Sequence, residues 1–340
     1  MTRDFEDKGL GTNSSLGVLL HVEGDISEGL KVGGTYIYAE EIYSEHQSEM
    51  LSNNGFNLLN EAWMIFSPVE KLSVGAGRMI SNGEVFRKDD SRQKPRAIEA
   101  VQLKAPGLTV GHAFRMSNYL QSGDRWKFND FEDVFQVEAD SAGVSWLEWN
   151  WQVAENLQVD LYDAYAWDIS NLAGTRVQWS FSESGKLFLY ARVENGVADN
   201  KDHASETYGL SLQQKIGRIQ FEPGVLSVHG DKMLYQETTT GFNHALASSM
   251  IIYTCPFDGG ANSLYLKATS KLGKTGIYIL GIYTEQETLP FDAGELNLIL
   301  KQPVNDQWAL VCKSGVGYRD NDGGASTRAT DFRLFVTYVF

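Results

Sequence analysis

Short stretches in which apolar and polar side chains alternate recur along the whole chain of 340 residues. The last of them, Thr330–Phe340, places Tyr338, Val336 and Leu334 on one face and Arg333 on the other. A period of two residues is typical of β-strands with one apolar face. We count seventeen such strands, mostly paired across very short turns, while the alternate connections are mostly longer and polar. The sequence therefore predicts an all-β, up-and-down fold.

The mean hydropathy of −0.28 is low, and no apolar run approaches the ~20 residues that a membrane helix needs. A helical membrane protein is thereby excluded. A transmembrane barrel is only mildly hydrophobic, because its strands alternate lipid-facing and lumen-facing side chains. A soluble β-sandwich could also contain such strands. The aromatic C-terminus, with Tyr338 and Phe340, resembles the signal by which the barrel-assembly machinery recognises its substrates.

We therefore predict one transmembrane antiparallel β-barrel over residues 1–340, integral to the outer membrane of a Gram-negative bacterium. Bacterial barrels of one chain normally have an even number of strands. The first strand that we predict, Ser15–Ile26, leads into a short turn and so descends toward the periplasm. We expect residues 1–14 to form an external loop, and an ascending strand and a signal peptide to precede Met1. A miscount by one strand is the alternative to a full protein of about eighteen strands.

The charge balance and the cysteines limit the partners. A net charge of −15 argues against nucleic acid, which needs a cationic surface. Cys255 and Cys312 lack the spacing of a metal site, and a bridge between them is left open. We predict neither a metal nor an organic cofactor.

The strand phase also predicts which charged side chains face the lumen. Apolar side chains of a barrel wall face lipid, because a Lys or Arg at mid-membrane on that face costs ~2–4 kcal/mol. The opposite phase then points inward, where it predicts fewer acids than bases, Glu148 and Asp160 among them. Such a wall would attract anions, unless the cations only neutralise acidic loops. The predicted basic ladder comprises Lys104, Arg115, Arg176, Arg192, Lys267, Lys301, Lys313 and Arg333.

The connection 81–95 is dense in charges of both signs, among them Arg87, Lys88, Asp89 and Asp90. Such a loop is usually a solvated surface. With an ascending strand before Ser15 it is the third external loop, and in a wide barrel this loop can fold inward and narrow the pore. We predict that it forms the constriction.

The chain resembles the OprD family of substrate-specific outer-membrane porins in several stretches. They are TRDFED near the start, VGAGRMISNGE, KDDSR and PRAIEA around the third loop, GFNHALASSMIIYTCPFDGGANSLYLKAT, and the close from GELNLILKQP to RLFVTYVF. The resemblance implies an eighteen-stranded barrel, a basic ladder on one lumen wall and an inward third loop. It adds Asp90, Ser91 and Arg92 as constriction candidates. Family members typically admit amino acids or other small carboxylates without energy coupling.

We therefore predict a porin for passive, electrostatically guided uptake of small carboxylate-bearing solutes, with outer-membrane lipid and the assembly machinery as its other partners. Monomer and homotrimer are both left open. A structural or adhesive barrel with partner-binding loops is the alternative. A barrel hydrolase would need a Ser–His pair on the outer face, oriented by a third polar group. His112 lies in the lipid phase, but no serine motif adjoins it in the sequence, so we predict no enzyme.

Overall fold

The computed structural model describes residues 2–5, 9–45, 55–88, 95–117, 127–235 and 255–339. Nearly all of these residues belong to one antiparallel sheet in which sequence neighbours pair. The strands are β1 (Thr2–Phe5), β2 (Gly9–Ser27), β3 (Leu30–Glu45), β4 (Phe56–Val69), β5 (Leu72–Met79), β6 (Ala97–Ala105), β7 (Leu108–Ser117), β8 (Asn129–Asp130), β9 (Val144–Ala154), β10 (Leu157–Ala166), β11 (Ser170–Ser182), β12 (Gly185–Gly196), β13 (Ala204–Ile216), β14 (Ile219–Gly230), β15 (Ala261–Leu272), β16 (Thr275–Gln286), β17 (Phe291–Pro303), β18 (Trp308–Asn321) and β19 (Thr327–Tyr338).

The short strand β1 closes the sheet into a barrel. Thr2 is the register partner of Thr12 on β2 and also of Phe332 on β19. Strand β8 is only a two-residue extension that pairs with the end of β7. The barrel thus has eighteen wall strands, as the resemblance implied. The expectation that residues 1–14 form an external loop is wrong for β1 and for the part of β2 that begins at Gly9. Four residues are too few for an alternating pattern to be visible in the sequence.

The connections differ in length at the two ends of the barrel. At one end most hairpins turn in two residues, such as Ser182–Gly185 between β11 and β12. At the other end the connections 46–55, 80–96, 118–143 and 231–260 are long. With β1 in place, 80–96 is the third connection at the long-loop end. This end also carries helix α1 (Phe131–Phe135) and two 3-10 turns, Ala198–Asn200 and Cys255–Phe257.

The two faces of the wall follow the alternation in the sequence. On β19, Phe332, Leu334 and Val336 are exposed on the outer face, whereas Asp331 and Arg333 are buried on the lumen side. Aromatic side chains lie near both ends of the outer face: on β9, Trp149 and Trp151 stack at 5.3 Å toward the short turns, and at the loop end of β10, Tyr165 contacts Trp167. Aromatic residues at these positions and an apolar outer band are typical of membrane-spanning barrels. Among the described residues no helix is long and apolar enough to cross a membrane.

Several inward aromatic rings lie directly over a glycine of the neighbouring strand. A Cβ at Gly174 would lie 2.2 Å from the Tyr162 ring, and one at Gly111 would lie 2.4 Å from the Trp146 ring. Each glycine therefore leaves the space that the ring fills. The lumen wall of β7 and β9–β11 depends on these two close packings.

We expect Gly174→Val to destabilise the barrel, since overpacking of a filled site typically costs about 1–3 kcal/mol. The measurement is the temperature at which the folded, fast-migrating form is lost on unboiled gels. Gly281→Val is the matched control, because a Cβ at Gly281 meets no atom within 4 Å. Equal melting of the two variants would contradict the close packing.

Candidate functional site: the lumen and its inward loops

The third loop folds into the barrel. Val85 and Phe86, midway along it, are 0% and 1% exposed, and Phe86 meets the inward ring of Trp146 edge-on at 5.0 Å. The Val85 amide donates a hydrogen bond to Glu148 Oε1 at 2.8 Å. The predicted inward course therefore holds for residues 80–88, the described stretch before the gap in the loop.

Two other connections enter the lumen and join it. Phe131 of α1 lies 6.1 Å from Phe86, and Phe135, at the other end of α1, packs edge-on against Tyr235 at 5.0 Å. We call Trp146, Phe86, Phe131, Phe135 and Tyr235 the lumenal aromatic chain. Together with apolar side chains of the wall these residues form one buried cluster. The apolar rings thus connect three loops that are far apart in sequence.

Tyr235 anchors the far end of this chain to the wall. Its hydroxyl accepts a hydrogen bond from the Ala166 amide at 3.1 Å and faces the Ser170 carbonyl at 3.3 Å. Burial raises the pKa of Tyr235 above its ordinary value, so the hydroxyl stays protonated at all physiological pH. The preceding amide, of Leu234, donates to Glu194 Oε2 at 2.7 Å.

Below the third loop, charged side chains of the loop and the wall meet around a cavity of about 330 Å³. We call Glu84, Arg87, Glu148, Asp160 and Arg176 the constriction cluster. Arg176 Nη2 lies 2.6 Å from Asp160 Oδ2 and 3.3 Å from Glu84 Oε1. Arg87 Nη2 donates to the same Glu84 oxygen at 2.9 Å. The cluster therefore holds two guanidinium groups among three carboxylates.

The predicted ladder residues of β11 and β12 both point inward, but only one borders the cavity. Arg192 is 1% exposed and lies 2.5 Å from Glu194 Oε1, beneath the Tyr235 ring. A guanidinium covered in this way cannot meet a solute in the lumen. Arg176, in contrast, lines the cavity.

The remaining inward bases lie on the opposite part of the wall and on β6. Lys267 donates to Glu222 Oε1 at 2.9 Å, and Arg333 is paired with Asp331 at 2.8 Å. Lys313 is the register partner of Arg333. Lys301 and Lys104 lie near the short-turn end and are exposed.

The prediction that Arg115 faces the lumen is wrong. A register shift between β6 and β7 at Phe114 leaves one extra residue in β7. A β-bulge of this kind reverses the facing of the residues beyond it. Arg115 Nη2 consequently meets Glu99 Oε1 at 2.9 Å, in the phase of the exposed Val101 and Leu103. Arg115 thus lies on the outer face of the wall.

Inward acids are more numerous than expected. Besides Glu148 and Asp160, the buried lumen side carries Glu194, Glu222 and Asp331. Two of these could have been found in the sequence, since Glu194 and Asp331 stand two residues from an inward arginine and so share its face. Glu222 meets Lys267 only through the register of β14 and β15.

Some predicted site residues lie outside the described residues: Asp89, Asp90, Ser91, Arg92 and Phe340. Lys88, the last third-loop residue before the gap in the described chain, is exposed. Tyr338 ends β19 and contacts Trp308 at 4.7 Å between ring centroids. Cys312 on β18 is a free cysteine.

No family model and no curated protein matches the sequence. Solved structures do match it over nearly its whole length. A BenF-like porin from Pseudomonas fluorescens Pf-5 superposes with a TM-score of 0.80 at 13% identity, covering 99% of this chain and 96% of that one. Pseudomonas aeruginosa OpdK, solved with vanillate, superposes with a TM-score of 0.79 at 14% sequence identity, and the match covers 99% of this chain and 95% of OpdK. Acinetobacter baumannii OccAB4 superposes with a TM-score of 0.74 at 15% sequence identity, and the match covers 99% of this chain and 94% of OccAB4. The chain therefore has the fold of these outer-membrane porins.

We expect Glu148→Ala to release the tip of the third loop. The variant removes the carboxylate that accepts the Val85 amide, and a hydrogen bond to a charged group contributes about 1.5–3 kcal/mol. Hydrogen exchange at the Val85 amide should accelerate about 10- to 100-fold, at tenfold for each 1.4 kcal/mol. Glu155→Ala, in a short turn, is the control, and an unchanged rate at Val85 in Glu148→Ala would contradict this anchoring.

Proposed function

We propose that this chain, which has the barrel fold of the OprD-family porins, is an integral outer-membrane porin that lets small carboxylate-bearing solutes diffuse through its lumen. The observation that carries the proposal is the constriction cluster. Arg176 and Arg87 lie there beside a cavity inside the barrel, and the third loop narrows the passage. The short turns would face the periplasm and the long connections the exterior, as in bacterial barrels.

The electrostatics of the cluster suggest which solutes fit. A guanidinium offers two parallel N–H donors to a carboxylate. Glu84 and Asp160 already occupy Arg176, so a solute carboxylate would compete with them rather than fill an empty site. A site of this kind favours weak binding and rapid release, which conduction requires. An ammonium group on the same solute would find Glu84 or Glu148 on the loop side.

Toward the short-turn end, Lys104 and Lys301 are exposed, and Lys313 lies one strand from Lys301. We infer that these three lysines, together with Arg176, form the effective part of the basic ladder. Positive side chains in a channel with low-dielectric walls raise the local concentration of anions. The ion-paired Arg192, Lys267 and Arg333 then act chiefly in holding the wall and the loops.

A double substitution tests the ladder. Lys301→Gln with Lys313→Gln should lower the ratio of anion to cation permeability by at least about twofold, because two cationic side chains leave the lumen wall. The measurement is the reversal potential of single channels in planar bilayers under a salt gradient. Arg115→Gln is the control, since Arg115 lies on the outer face. Unchanged selectivity in the double variant would reject the ladder.

A second substitution tests the constriction. Arg176→Gln removes the cavity guanidinium that contacts both Asp160 and Glu84, and leaves Glu84 with Arg87. Influx of benzoate into liposomes should therefore fall while influx of a small ammonium solute rises. Arg176→Lys keeps the charge but not the bidentate geometry, and we expect an intermediate rate. Equal benzoate influx in all three proteins would place the selectivity elsewhere.

The structural or adhesive barrel is distinguished by conductance. Its lumen would be filled, and correctly folded protein would give no channels in a planar bilayer. The third loop and α1 fill part of the lumen, yet the constriction cluster still borders a cavity. Channels formed by folded protein would therefore support the porin, and their absence would support the structural or adhesive barrel.

A further inference from the structure

The outer wall carries a polar pair that the passage of solutes does not use. His112 on β7 and Ser145 on β9 are register partners, and both lie in the outward phase with Val110 and Leu147. Ser145 is the second residue of β9, so the pair lies near the long-loop end of the wall. Polar side chains in the lipid-facing phase are costly, and their presence suggests a function.

The hydrogen bonds determine the proton positions. His112 Nε2 lies 3.0 Å from the carbonyl oxygen of Ala142, which can only accept, so Nε2 carries a proton. In the neutral imidazole Nδ1 then carries no proton. Its lone pair accepts a hydrogen bond from the Ser145 hydroxyl, with Nδ1 2.9 Å from Oγ. The serine is thus hydrogen-bonded to a base whose ring the Ala142 carbonyl orients. This arrangement activates a serine nucleophile.

A third group completes the surroundings of the serine. Trp167, which follows β10, donates its indole N–H to Ser145 Oγ at 3.1 Å. When an ester is attacked, this N–H would have to turn from Ser145 Oγ to the ester oxygen on which negative charge develops. His112 and Ser145 therefore supply a base and a nucleophile, and Trp167 places an N–H donor beside them.

The same pair borders an apolar groove on the outer wall. Its volume is about 680 Å³, and its lining includes Val74, Val101, Leu103, Val110 and Leu147. The groove opens on the side where membrane lipid would lie. An acyl chain is the ligand that matches an apolar groove leading to a serine.

We propose that His112 and Ser145 form a nucleophilic site that hydrolyses carboxylic esters of acyl lipids on the outer wall, independently of the lumen. Ser145 Oγ bonds to the ester carbonyl carbon while its proton passes to His112 Nδ1. The carbon–oxygen bond of the ester breaks, and the leaving alkoxide takes the proton from His112. Water then attacks the acyl-serine, again through His112, and releases the fatty acid and free Ser145.

A second Ser–His pair on the wall lacks this geometry and serves as a control. Ser227 Oγ lies 3.1 Å from His229 Nε2, but it donates at 2.6 Å to Asn262 Oδ1, which can only accept. The single proton of Ser227 is therefore not directed at its histidine. Ser227 should be unreactive.

The experiment is labelling of the full-length, folded barrel in detergent micelles by a fluorescent alkyl fluorophosphonate, with hydrolysis of p-nitrophenyl laurate as the turnover assay. We expect labelling at Ser145 and none in Ser145→Ala. His112→Gln should lose about 100-fold or more in rate, the usual contribution of a general base. Ser227→Ala should label like the unaltered protein. Heat-modifiable gel mobility confirms folding of each variant.

Absence of labelling in the folded protein overturns the proposal, as does labelling that persists in Ser145→Ala or is indifferent to His112→Gln. Conductance of the same samples is read separately. Channels without labelling would reject the site and leave the porin intact, and labelling without channels would do the reverse.

Discussion

If the barrel spans a membrane, as proposed, the structure depends on one requirement: every backbone N–H and C=O within the hydrocarbon must find a partner in the protein. Each unpaired group there costs several kcal/mol, so a sheet that crosses a membrane must close on itself. In this chain β1 makes the closure by pairing with β2 on one side and β19 on the other. Closure creates a lumen, and because of the two-residue period of a strand every second side chain points into it. The charged residues of the lumen follow from that geometry.

Among the described residues inside the barrel, several buried charges meet in pairs of opposite sign. Arg192 lies against Glu194, Arg333 against Asp331 and Lys267 against Glu222. Removal of one partner of such a buried pair is strongly destabilising, because the other charge is left without compensation. The pairs therefore keep the wall and its loops in place, and in the proposed porin a smaller set of cations would act on solutes. The proposed basic ladder is thus smaller than the set of inward bases.

The sequence predicted the strands, the short and long ends and most facings, because a period of two is visible without knowledge of neighbours. It could not show the bulge at Phe114, which turns Arg115 outward and is a property of pairing between β6 and β7. The contact of His112 with Ser145 has the same origin, since the residues are 33 positions apart and meet only through register. The inward facing of Glu194 and Asp331 could have been predicted from the alternating pattern, since each shares a face with the arginine two residues away. The burial of Arg192 under Tyr235 depends on a loop whose course no local pattern determines.

The lumenal aromatic chain has a consequence for the order in which the protein assembles. Neighbouring strands meet through short hairpins, whereas Phe86, Phe131 and Tyr235 come from three loops separated by large parts of the sequence. Contacts between such distant residues carry a large loop-closure cost until the intervening chain is in place. The wall from β5 to β14 must therefore form before these rings can meet. A newly inserted barrel would pass through a stage with a wider and less selective lumen, and the final size of the opening would be set last.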